Sequence, residues 1–131
     1  MKIVVLIARL LLGLMFTVFG ANGFLHFIPA VMPPGQAATF FTVLFETHYA
    51  VLVFAVQLIA GLMLLSNQYV PLALVALAAV IANIFTFHIT MQPAGLIPMP
   101  IVALVCWVVV AWDYRSAFAP MLARNAPTDI T

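Results

Sequence analysis

Hydrophobic residues run along this chain in four long blocks, covering about 3–27, 48–66, 70–91 and 97–118. A helix that crosses a bilayer needs roughly 20 mainly apolar residues, and each block is near that length. Between the blocks stand "IPAVMPPG" (28–35), "SNQYVP" (66–71) and "QPAGLIPMP" (92–100). Proline and glycine stop helices at such points by removing N–H donors and loosening the backbone. The pattern predicts an all-α membrane protein. It reads as one transmembrane domain over 1–131, an antiparallel four-transmembrane-helix bundle with a tail from 119 to 131.

The first connection carries its own helical pattern, "QAATFFTVLFE" over 36–46. A single helix over 36–66 would be about 46 Å long, against a hydrocarbon core of roughly 30 Å. A short interfacial helix between spans 1 and 2 is therefore expected.

Composition sharpens this picture. Of the 131 residues, 67% are hydrophobic and 5% charged, and no Asp, Glu, Lys or Arg occurs between Glu46 and Asp113. The mean hydropathy is +1.28. Soluble domains carry about a quarter charged residues, so the lipid bilayer is the expected partner. A net charge of +1 gives no basic patch for nucleic acid. Cys106 is the only cysteine, which leaves no intrachain disulfide or CxxC pair and reads as a buried thiol. The apolar run from Ile3 is longer than a signal-peptide core and contains Arg9, so it reads as a retained span. Lys2, Arg9, Arg115 and Arg124 flank the outer ends of the first and fourth spans. By the positive-inside rule, the protein should sit in the cell inner membrane, multi-pass, with both termini cytoplasmic. Trp107, Trp112 and Tyr114 approach that boundary as aromatic anchors.

Helical spacing then places the rare polar groups. Arg9, Gly13, Phe16 and Gly20 share a stripe on the first span, and Glu46, Ala50, Gln57 and Gly61 can share one on the second. Small residues let helices approach closely in lipid. Arg9 is thus expected to turn inward and pair with Asp113, the alternative being that it snorkels to the headgroups. On the third span Ala76, Ala79, Asn83, Thr86 and Thr90 form a small and polar stripe. Gln57 and Asn83 both fall near mid-membrane and read as structural amides joining helices.

His26, Glu46 and His88 end the first span, precede the second and end the third, so they should meet on one membrane face. His26 shares a helix face with Asn22 and His88 with Gln92, whereas His48 projects away from Gln57. His26, Glu46, His88 and Gln92 are the ligand-binding candidates. Imidazoles can hydrogen-bond a quinone carbonyl or accept its proton. A carboxylate with imidazoles could also hold a metal, but no HxxxH or HExxH spacing exists, and no metal ligand set is assigned. The competing reading is three unrelated interfacial side chains.

Several segments in order resemble the DoxX-like family of small membrane proteins, which is related to the membrane subunit of thiosulfate:quinone oxidoreductase. "RLLLGLMFTVFGANGF" (9–24) is similar to the family's Arg-x₃-Gly-x₂-Phe-x₃-Gly opening, and "VQLIAGLMLL" (56–65) to its second span. "NIFTFHITMQPAGLIP" (83–98) and "WDYRSAFAPML" (112–122) resemble the asparagine–histidine span and the aromatic ending of one branch. The resemblance implies a four-helix membrane fold and a link to quinone or sulfur redox chemistry. Many members carry a glutamate where this chain has Gln57, which removes an ionisable group from the interior. Two functions follow as expectations. One is a quinone-linked redox accessory subunit with a redox partner protein. The other is a non-enzymatic assembly, scaffold or small-solute passage protein; either could form an oligomer.

Overall fold

Helix α1 spans Lys2–Leu25 and is followed by the short helix α2, Gln36–Glu46. Helix α3 spans Ala50–Leu65 and α4 spans Val70–Met91. A 3₁₀ turn at Pro93–Leu96 leads to α5, Met99–Asp113. The chain continues through α6, Arg115–Phe118, and a 3₁₀ turn at Ala119–Leu122. This computed structural model describes residues 1–29, 32–125 and 128, and among them there is no strand.

The helix boundaries have local causes. α1 stops where His26 adopts φ 53° and gives its backbone N–H to the Asn22 carbonyl at 2.8 Å. Histidine is among the residues that tolerate this left-handed conformation. α4 begins with Pro71 in its first turn, where the missing N–H has no intrahelical partner to lose. Its bounds coincide with the expected third span. The expected short helix over 36–46 forms as α2, and α3 follows it at an angle of 84°, within two residues of the expected second span. His48, at φ 60°, sits in the joint and prevents one continuous helix. The expected fourth span, 97–118, also breaks: α5 ends at Asp113 and the following segment turns by 79°. Arg115 helps to end it by donating from Nη1 to the Trp112 carbonyl at 2.8 Å, while its guanidinium lies 4.7 Å from the Trp112 ring centre.

α1 packs against α3 and α5, and α4 packs against the same two helices. Leu12, Leu64, Leu74, Leu77 and Val110 are fully buried at the centre. α1 and α3 run in opposite directions, since Gly13 lies beside Gly61 and Leu64, Gly20 beside Leu58, and Gly23 beside Phe54. α4 and α5 are tied by Trp107, whose Nε1 donates to the Leu74 carbonyl at 2.8 Å. The outer surface is as apolar as the core: Leu6, Ile7, Leu52, Ile59, Leu72, Val75, Val105 and Val108 are all exposed. By length and composition α1 and α4 can each cross a bilayer, and two more spans arise if each bent pair counts as one.

Candidate ligand groove at the His26 end

The groove is built where α1 ends and α3 begins. Asn22, one turn before the end of α1, folds its amide onto the next segment: Oδ1 accepts from the Ile28 N–H at 2.7 Å. Nδ2 reaches the Ile28 carbonyl at 3.4 Å. That clamp turns residues 26–29 back beside the helix. Gly23 has no side chain, so the Phe54 ring lies against α1 there; a Cβ would run into the ring. Phe54 also stacks on Phe45 of α2, with ring centres 5.9 Å apart.

The result is a groove of about 330 Å³ lined by Phe19, Asn22, Gly23, His26, Ile28, Pro29, Phe45 and Phe54. His26 is the one titratable side chain in that lining. Since Asn22 already holds the loop, His26 is the group left to recognise a polar atom. A second groove of about 300 Å³ lies between α4 and α5, lined by Ala78, Ile81, Ala82, Phe85, Leu104 and Trp107. It contains none of the expected ligand residues, and its one polar group, the Trp107 N–H, is bonded to Leu74.

Of the expected site residues, the structure brings only His26 to the groove. Glu46 is exposed at the end of α2, beside Phe45 in sequence but outside the lining. His88 is half-buried under the 3₁₀ turn. Its Nδ1 lies 2.8 Å from the Ile84 carbonyl, and because a carbonyl only accepts, Nδ1 carries the proton. A Cβ on Gly95 would stand 2.6 Å from Cδ2 of His88, 2.8 Å from its Nε2 and 3.3 Å from Oε1 of Gln92. His88 and Gln92 therefore pack against the turn after α4 at Gly95. Among the described residues no group of three or more His, Cys, Asp or Glu side chains is placed to hold a metal.

The structural polar residues also find other partners. The Arg9–Asp113 ion pair does not form: Arg9 donates from Nη1 to the Leu64 carbonyl, and Asp113 is exposed. Leu64 lies in the last turn of α3, where carbonyls lack intrahelical donors and the helix dipole is negative. A cation from α1 satisfies both needs without a carboxylate. Gln57 is buried at 7% exposure, but Asn83 is exposed and gives Nδ2 to its own helix at the Ala79 carbonyl, 2.9 Å away. Among the described residues neither amide hydrogen-bonds to another helix, and Gln57 is instead packed inside the bundle. Thr17 makes the tighter junction, pressed against Gly61, with its Oγ1 buried and without a hydrogen-bond partner.

Arg9→Met should cost about 2 kcal/mol through the lost charged hydrogen bond and dipole interaction. Asp113→Leu should stay within about 0.5 kcal/mol. Unfolding of the two single variants and the double variant should give additive changes; recovery in the double variant would restore the ion pair.

The sequence reading missed Phe19, Phe45 and Phe54. The signal available was the phenylalanine-rich 36–46 segment next to a polar helix end. No family model, curated protein or solved structure matches this chain.

Proposed function

We propose that the chain is an integral membrane protein of the DoxX-like type, a quinone-linked redox accessory subunit that holds a quinone head group beside His26. In this reading α1, α3, α4 and α5 cross the bilayer as an antiparallel four-helix bundle and α2 lies along the interface. The apolar outer surface supports immersion in lipid. So do Tyr49, Tyr69 and Trp112, exposed near helix ends as interfacial anchors. α3 has 16 residues and α5 has 15. Helices of that length rise about 24 and 22 Å, so local thinning of the bilayer or their bent extensions must make up the difference.

One observation carries the ligand assignment: an aromatic-walled groove whose sole titratable group among the described residues is an imidazole. A quinone head is planar and uncharged, with carbonyl acceptors on its edges. Phe19, Phe45 and Phe54 offer it apolar surface, and an imidazole N–H can donate to a carbonyl. The groove volume is at the lower end of the roughly 300–1,000 Å³ usual for small-molecule sites. The chain's own share is binding and orientation; electrons would come from a partner protein or a diffusible donor. The second reading, a scaffold or small-solute passage protein, draws on Glu46, His88 and Gln92 lying outside the groove. Anaerobic purification in mild detergent followed by quinone and metal analysis separates the two. Quinone bound near one per chain is expected, and folded protein without quinone or metal would favour the scaffold.

Lys2, Arg9 and Arg115 gather at the end of the helices opposite His26. This supports an inner-membrane orientation with cytoplasmic termini. In intact cells with Cys106→Ala, the variants Gln36→Cys and Leu96→Cys should label from outside, and Gln68→Cys and Asn125→Cys should not. External labelling at position 125 reverses the orientation.

A further inference from the structure

α2 joins the rest of the chain at two residues of positive φ. Gly35, before it, has φ 73° and nothing within 4 Å of where a side chain would begin. His48, after it, has φ 60°. Between these joints the helix has a light hold on the body. Only Ala37 of its 11 residues is buried. The hydroxyls of Thr42 and Thr47 donate to carbonyls of the preceding turn, Ala38 at 2.8 Å and Val43 at 2.6 Å, so neither ties α2 to another helix.

Rings supply the attachment. Phe40 and Phe41 lie 5.5 Å and 4.9 Å from the Phe87 ring of α4, centre to centre. Phe45 lies 5.9 Å from Phe54 of α3. Such contacts are apolar and tolerate sliding and separation better than a hydrogen-bonded network does. Phe45 is also a wall of the His26 groove. A displacement of α2 therefore opens or closes that groove.

We propose that α2 is the gate of the groove: it swings on Gly35 and His48, and the rings of Phe40 and Phe41 latch it to Phe87. A ring-bearing ligand enters when Phe45 lifts from Phe54, and its own ring then takes up the freed aromatic surface. The gate rests on the reading of the groove as the ligand site, but its motion can be followed without any ligand.

The test uses the full chain in detergent with Ala37→Cys as a reporter thiol on the seated face of α2, where Ala37 is fully buried. Native Cys106, buried in α5, serves as the folding control. N-ethylmaleimide labelling is followed at both positions by peptide mass. Phe87→Ala removes both latch contacts and should raise the reporter rate about tenfold, with Cys106 still protected. Phe87→Tyr keeps a ring and should leave the rate near its starting value. Should Phe87→Ala expose Cys106, Phe41→Ala cuts the latch from the α2 side and decides the matter. An unchanged reporter rate in the folded latch variant overturns the gate. Loss of the gate would leave quinone retention intact, whereas absence of quinone with a responsive reporter would overturn the ligand and keep the gate.

Discussion

Replacing Gly61 by leucine should separate α1 from α3. A Cβ at Gly61 would stand 2.5 Å from both the backbone N and the Oγ1 of Thr17, and 2.9 Å from the Gly13 carbonyl oxygen. Two of those neighbours are backbone atoms, which yield only if the whole helix moves. Gly20 meets the same obstacle from the other side, with its Cβ 2.5 Å from the Leu58 backbone N. In lipid, apolar burial gives helices little reason to stay together, and close packing takes over that role. Overfilling a packed site typically costs 1–3 kcal/mol; with backbone on both sides we expect about 3 kcal/mol or more for Gly61→Leu or Gly20→Leu. Gly35→Ala is the comparison: its space is open, so only backbone strain should appear, about 1–3 kcal/mol for a side chain at φ 73° and ψ −140°. Denaturant unfolding in detergent would measure all three. If Gly61→Leu were no worse than Gly35→Ala, the tight α1–α3 seam would be wrong.

The same seam shows which parts of the fold could be read from sequence. The spacing of Gly13, Phe16 and Gly20 marks one side of α1, and all three are buried. Ala50, Gln57 and Gly61 likewise share the buried side of α3. Glu46 leaves that set because the chain bends at His48, and a left-handed histidine has no signature in a hydrophobicity pattern. α4 exposes a deeper limit. A helix apolar all round announces that it is a helix but not which side faces inward. Polar residues were expected to turn inward, and Asn83 does not. Its amide is already served by the Ala79 carbonyl one turn back, so no second helix is required. Arg9 was misassigned for a related reason. A sequence shows carboxylates such as Asp113 but not the helix-end carbonyl of Leu64, which accepts from Arg9 as well as from the Asn67 N–H at 3.3 Å. Arg9, Asn83, His88 and Trp107 all bond to backbone carbonyls, and which carbonyl lies in reach depends on how the helices pack and stop, which a hydrophobicity pattern does not show.

His26 and His88 should therefore part company in experiment. Both lie near the C-terminal end of a helix and are equivalent in the sequence pattern, but they differ in what is left free. His88 has committed Nδ1 to the Ile84 carbonyl, and its other edge is covered near Gly95. His26 faces a groove whose other polar side chain, Asn22, is already occupied by Ile28. His26→Ala should thus remove the one hydrogen-bonding group able to select a carbonyl, lowering retained quinone roughly tenfold or more. Helicity should be kept and stability should fall by no more than about 1 kcal/mol, because His26 is exposed and the cost is the left-handed cap conformation that alanine tolerates less well. His88→Ala should do the reverse. It should loosen the turn at Pro93–Leu96 at a cost of about 1–2 kcal/mol while quinone stays bound. Gly23→Val should resemble His26→Ala in binding, since a side chain there pushes the Phe54 ring out of place. Quinone content per folded chain, measured after anaerobic purification of each variant, reads all three outcomes. If His88→Ala lost quinone while His26→Ala kept it, the ligand would belong beside the 3₁₀ turn, and the groove under α2 would have no claim to it.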